Sequence, residues 1–176
     1  MRFSNTHLFY EKGWRGINID ATPGSMKEFN KIRKRDINIE AGISDEHGEL
    51  EYYSFYEPAL NSFSKVVSEE RINSGWKLKE IIRIKTFPIN DILEKHVPKN
   101  QQIDFITMDI EGFDLLVFKS LDFEKYAPEF FLLEDIDYMG KDLMEYKTSG
   151  IFCFLNQRGY TIVAKTLSTS LFRKTV

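Results

Sequence analysis

The sequence predicts an α/β layered domain built on a mainly parallel sheet with an antiparallel last strand. Short β-branched and aromatic runs alternate with segments of helical periodicity, the order of elements that builds such layers. Phe130-Phe131-Leu132-Leu133 is a continuous apolar run, as expected of a strand covered on both faces. Acids stand where strands should end, at Asp20, Asp45, Asp109 with Glu111, and Glu134 with Asp135. In open α/β sheets that rim is where ligands bind.

In chain order, Ser4-Asn5-Thr6 can cap a short helix through Leu8, Phe9 and Lys12 that stops at Gly13. Gly16-Ile17-Asn18-Ile19-Asp20 reads as a strand ending in a carboxylate. Pro23 suits the first turn of a second helix, with Met26, Phe29 and Ile32 as its apolar face. Ile37, Ile39, Ala41 and Ile43 alternate at period two and read as one strand. Glu51 to Tyr56 reads as another, interrupted by Pro58, while residues 61–74 are polar, weakly periodic and assigned to a loop. Ile81 to Phe87 alternates again, and Pro88 begins a helix carrying Ile89, Ile92 and Leu93.

Ile103-Asp104-Phe105-Ile106-Thr107-Met108-Asp109 is the clearest buried strand, ended by Gly112. Phe113, Leu116, Val117 and Leu121 then share one helix face. A helix through Ile151 and Leu155 ends near Gly159. Tyr160 to Val163 and Leu171-Phe172 close the chain as a hairpin, because only the short link of residues 166–170 separates them.

Composition narrows the function. The 176 residues are 42% apolar, 29% charged and 14% aromatic, which fits one domain over residues 1–176 with a full core. A net charge of −3 gives no general basic field for nucleic acid. Cys153, the sole cysteine, excludes an internal disulfide framework and a four-cysteine zinc site, and its apolar surroundings in sequence read as core. No apolar stretch approaches the ~20 residues that span a bilayer. The opening residues lack the apolar stretch of a secretory signal, so the expectation is a soluble, cytoplasmic protein without membrane or nucleic-acid partners. His7, His47 and His96 form no ligand spacing, and Lys31-Ile32-Arg33-Lys34-Arg35 reads as a solvated helix end.

The acids carry the chemistry. An ionised carboxylate at Asp20 offers only acceptors and suits the two hydroxyls of a ribose. Its alternative reading is an Asx-type cap before the helix opened by Pro23. Asp109 and Glu111, two residues apart, share a face while the backbone stays extended. They suit general-base work or metal binding, or, in the plainer reading, capping of the following helix.

Taken in order, Ser4-Asn5-Thr6, Gly13-Trp14-Arg15-Gly16-Ile17-Asn18-Ile19-Asp20, Arg35-Asp36-Ile37-Asn38-Ile39, Ile43-Ser44-Asp45, Asn61-Ser62-Phe63-Ser64, Ile103-Asp104-Phe105, Met108-Asp109-Ile110-Glu111-Gly112 and the stretch from Leu155 to Gly159-Tyr160 resemble the FkbM-type methyltransferases. The resemblance spans nearly the whole chain. It implies a Rossmann-like methyltransferase fold, a three-layer sandwich, with S-adenosylmethionine as cofactor and a hydroxyl of a sugar or related small molecule as acceptor. By position it implies that Asp20 holds the cofactor ribose, that Ser44 and Asp45 lie beside the adenine, and that Ser4 and Asn5 face the methionine end. Asp109 and Glu111 match the family's acidic motif near the transferred methyl, with no metal required. The region from Tyr52 to Ser74 is expected to shape the acceptor pocket.

The same family places a strand and a glycine-containing loop before the Ser-Asn-Thr segment, and Met1-Arg2-Phe3 cannot supply a strand of about five or six residues. The expectation is a domain whose first strand, central in the family's order, is absent from this chain. Two further readings follow. One is a catalytically inactive, truncated domain acting as a binding module; the other is a metal-dependent hydrolase using Asp109, Glu111 and Glu134.

Overall fold

The computed structural model describes residues 4–110, 113–134 and 138–175. The chain runs α1 (His7–Glu11), β1 (Ile17–Asp20), α2 (Met26–Ile32), β2 (Ile37–Glu40), β3 (Gly42–Ser44), β4 (Gly48–Phe55), α3 (Lys65–Asn73), β5 (Leu78–Pro88) and α4 (Ile89–His96). It continues through β6 (Phe105–Met108), α5 (Asp114–Ser120), α6 (Phe123–Tyr126), β7 (Phe130–Glu134), α7 (Leu143–Tyr146), α8 (Gly150–Asn156), β8 (Tyr160–Lys165) and β9 (Thr169–Lys174). No helix among the described residues is long and apolar enough to cross a membrane.

The strands form three small sheets, one parallel and two mixed, rather than one mainly parallel sheet. β1 and β2 pair in parallel, with Asp20 opposite Glu40. The second sheet has the order β3-β5-β4, parallel between β3 and β5 and antiparallel between β4 and β5. The third has the order β6-β7-β9-β8, with β6 parallel to β7 and β9 antiparallel to both neighbours. The closing hairpin and its antiparallel last strand are therefore present. Among the described residues, β1 pairs only with β2, and β6 only with β7.

The single strand expected over Ile37 to Ile43 is two. Its first part, β2, belongs to β1, and the Ala41 N–H closes that ladder on the Asp20 carbonyl at 3.1 Å. Gly42 then lets the chain cross closely over β5 to pair there as β3. A Cβ at Gly42 would lie 2.7 Å from Phe63 Cζ and 2.9 Å from Thr86 Cγ2. Residues 61–74 also differ from expectation, because α3 occupies nine of them. Ser64 caps it by accepting from the Val67 N–H at 3.3 Å, yet only Ser68 is buried, so no apolar stripe marked it in the sequence.

The core lies around β7 and β9. Phe131 and Phe172 sit opposite one another in that ladder and are fully buried, with Val117 and Phe118 of α5, Tyr146 of α7 and Leu155 of α8 against them. Tyr160 is buried too, and its hydroxyl donates to the Pro128 carbonyl at 2.6 Å. Burial pushes its pKa up to about 12. Cys153 is not core as expected: it occupies the outer face of α8 and is exposed.

The basic run of residues 31–35 is also not simply solvated. Arg33 is 2% exposed and pairs with Asp36 through Nε at 2.8 Å and Nη2 at 2.7 Å. Asp36 further accepts from the Gly16 N–H at 2.9 Å and Asn18 Nδ2 at 3.0 Å, so the pair holds α2 to the opening end of β1. The rest of the run stays outside.

Candidate functional site

The acidic rim begins at Asp20. Being the last residue of β1, it leaves the ladder with a carboxylate that accepts from the Thr22 N–H at 2.7 Å. That is the Asx-type turn, and it fixes the carboxylate at the strand's end while using one of about four lone-pair positions. Glu40, opposite in register, accepts from the Gly24 N–H at 2.8 Å, where the backbone turns through φ +83° into α2. Pro23 lies in this turn, before α2 rather than in its first turn.

Thr22 leads inward. Its hydroxyl lies 2.7 Å from the Tyr52 hydroxyl and accepts from Asn61 Nδ2 at 3.3 Å. The Tyr52 ring packs on Phe63 at 4.8 Å, and Phe63 on Phe113 at 6.1 Å. Phe113 caps α5 at the close of the segment that leaves β6, and Asp109, exposed, is the first residue after β6. The exit loops of β1 and β6 are thus bridged by one line of side chains. Asp114, buried at the start of α5, accepts from the Ile110 N–H at 3.4 Å and braces that same segment. Glu111 and Asp135 lie outside the described residues.

Ser44 ends β3, is buried, and donates to Asp45 at 3.1 Å, while Asp45 itself is exposed. Helix α5 packs against β3, which brings this pair toward the β6 exit. Ser4 and Asn5 take two directions. The Ser4 hydroxyl is held by Arg33 Nη1 at 3.3 Å, beside Thr6 at 2.6 Å from the same nitrogen, at the opening end of β1. Neither hydroxyl caps α1. Asn5 Nδ2 donates to Thr107 on β6 at 3.2 Å, and Phe9 and Trp14 pack on Phe105 at 4.8 and 6.1 Å. The segment around α1 therefore lies against β6.

Sequence reasoning missed Thr22, whereas Tyr52 and Phe63 fall within the stretch from Tyr52 to Ser74 expected to shape the acceptor pocket, though neither was singled out for this rim. Tyr52 and Tyr53 adjoin in sequence but point to opposite faces of β4. Tyr53 donates to Glu51 at 3.2 Å, and burial first, then that hydrogen bond, raises its pKa. Glu134 ends β7 opposite Thr169. Among the described residues no group of three or more His, Cys, Asp and Glu side chains gathers where a metal ion could be held.

Comparison with known proteins gives a family. Neither the curated proteins nor the solved structures give a match. A family profile described as the methyltransferase FkbM domain matches residues 1–162, the whole span from α1 into β8. The chain belongs to the FkbM methyltransferase domain family.

Proposed function

We propose that this chain binds S-adenosylmethionine along the Asp20–Asp109 rim and methylates a hydroxyl oxygen of a sugar or related small molecule. The observation that carries the reading is the bridge Thr22–Tyr52–Phe63–Phe113, which joins the turn after β1 to the start of α5 beyond β6. On this reading the β2-β1 pair and the β6-β7-β9-β8 sheet are the two wings of one Rossmann-like layer, with the ligand across their exit ends.

The donor set fits the cofactor. Asp20 keeps acceptor capacity beyond its Asx turn, which suits two ribose hydroxyls. Ser44 and Asp45 would stand beside the adenine and Asn5, which donates to Thr107 of β6, toward the methionine end, whereas Ser4, held by Arg33 at the opening end of β1, stands away from the ligand. S-adenosylmethionine, when bound, supplies a methyl group already activated on a sulfonium. What remains for the chain is to align an acceptor oxygen, exclude water and take one proton. Alignment is worth up to about 7–11 kcal/mol in well-oriented systems, so positioning dominates. Asp109, exposed at the β6 exit, would take the hydroxyl proton as the oxygen attacks, with Glu111 as its partner in the same motif.

Isothermal titration of S-adenosylhomocysteine into the folded chain tests the reading. Asp20→Asn keeps an oxygen for the Thr22 N–H but loses the charge and one acceptor. A charged hydrogen bond is worth about 1.5–3 kcal/mol, so affinity should fall roughly tenfold to a hundredfold. No binding by a folded wild-type chain rejects the proposal. It would favour instead a non-catalytic binding module, the reading to which the edges of β1 and β6, unpaired among the described residues, point.

A further inference from the structure

We infer that the cleft between the end of β4 and the turn before β5 is a subsite for a neutral saccharide, the acceptor's own binding place beside the rim. This deepens the proposed reading and rests on it. The cleft is an open one of about 330 Å³, at the lower end of small-molecule sites, and its lining includes Phe55, Tyr56, Glu57, Leu60, Trp76 and Lys77.

Its walls are two aromatic rings left open to solvent. Tyr56 is 71% exposed and Trp76 51%, whereas Phe55 in the same lining is buried at 3%. Exposed singly, either ring needs no explanation, but two flanking one cleft offer apolar faces with a polar handle each. The polar groups are one carboxylate and one ammonium, Glu57 and Lys77. Their charges cancel, which disfavours a strongly anionic or cationic ligand. An acceptor and a donor beside aromatic faces match a pyranose, whose C–H face is apolar and whose hydroxyls both donate and accept.

The cleft is also held in shape. Glu57 caps the short 3-10 turn over Pro58–Leu60 by accepting from the Ala59 N–H. Arg71 of α3 donates to the Leu60 carbonyl at 2.7 Å, which ties that turn to the helix preceding Trp76. Gly75, at φ +92°, reverses the chain and presents Trp76. Behind the cleft, buried Asn61 accepts from the Phe55 N–H at 2.8 Å and donates to Thr22, two residues beyond Asp20, which fixes the cleft's position relative to the rim.

The test uses the full chain, fluorescently labelled, on a printed array of neutral mono- to trisaccharides, with a proline-rich peptide as a separate arm and S-adenosylhomocysteine titration alongside. At least one saccharide should be retained, with at least tenfold weaker retention by Trp76→Ala and Tyr56→Ala and partial rescue by Trp76→Phe. Circular dichroism checks that each variant is folded. The subsite is overturned by a folded wild-type chain that retains no saccharide, by retention indifferent to both substitutions, or by a cleft that takes the peptide instead. Saccharide retention without S-adenosylhomocysteine binding fails the methyl-transfer reading alone, and the reverse result fails the subsite alone.

Discussion

Replacing Asp36 with alanine should be among the most damaging single changes in this protein. The Asp36 side chain is fully buried and accepts three hydrogen bonds, from Arg33 Nε, the Gly16 N–H and Asn18 Nδ2, with Arg33 Nη2 in ion-pair contact at 2.7 Å. Arg33, whose side chain is 3% exposed, also holds Thr6 and Ser4 and lies over the Tyr10 and Phe29 rings at 5.2 and 5.6 Å. Removing the carboxylate leaves a guanidinium buried without its counter-charge, a loss of about 3–5 kcal/mol. Against a domain margin of about 5–15 kcal/mol this is severe. With a urea slope of about 2 kcal/mol/M, the unfolding midpoint should fall by about 1.5–2.5 M. Removing both charges in Arg33→Met/Asp36→Leu should cost less than Asp36→Ala alone, because no uncompensated ion remains. Urea unfolding followed by circular dichroism measures all three proteins. An Asp36→Ala midpoint matching about 1 kcal/mol of loss or less, or a double variant weaker than the single one, refutes the reasoning.

Three further outcomes follow from the geometry. Gly42→Ala forces a methyl into Phe63 and Thr86 and should cost about 1–3 kcal/mol in thermal or urea unfolding, with part of the loss recovered by adding Phe63→Leu. Tyr52→Phe removes the 2.7 Å contact with Thr22 and should lower stability by about 0.5–1.5 kcal/mol, while weakening S-adenosylhomocysteine binding measurably less than Asp20→Asn does. Tyr160 titrates near 12 when folded and near 10 when unfolded, so the folded state holds its proton more tightly. The stability this supplies is present below pH 10 and is lost between about pH 10 and 12, at most about 2–3 kcal/mol. Tyr160→Phe should flatten that alkaline slope in urea midpoints measured across the range.

The parts of this molecule most legible in sequence are those whose residues settle their own conformation. Ile17-Asn18-Ile19-Asp20 alternates β-branched with polar residues and forms β1, and Phe130-Phe131-Leu132-Leu133, apolar throughout, forms all but the last residue of β7. Gly13 and Gly159 stop helices at positive φ, and the short link after Lys165 makes the β8–β9 hairpin. What stayed hidden depended on partners distant in the chain. Ile37 to Ile43 alternates evenly, and nothing local says that Gly42 must leave β1's partner for β5. Arg33 looks like its charged neighbours until Asp36, Gly16 and Asn18 are assembled around it. Helix α3 has the sequence of a solvated helix, with its cap at Ser64 the only local mark. At the site, the acids were legible because carboxylates at strand ends are conspicuous, whereas Thr22, Tyr52 and Phe63 meet only after β1, β4 and the following loop have packed.

The central claim is spatial: one adenosyl ligand spans the exits of β1, β3 and β6. Backbone amide NMR of the ¹⁵N-labelled chain titrated with S-adenosylhomocysteine tests it most directly. Saturable shifts should concentrate at Asp20 and Thr22, at Ser44 and Asp45, and at Asp109 and Ile110, with the far ends of β1 and β6 at Gly16 and Phe105 little changed. A folded chain whose spectrum does not move, or whose shifts gather away from all three strand exits, contradicts the account.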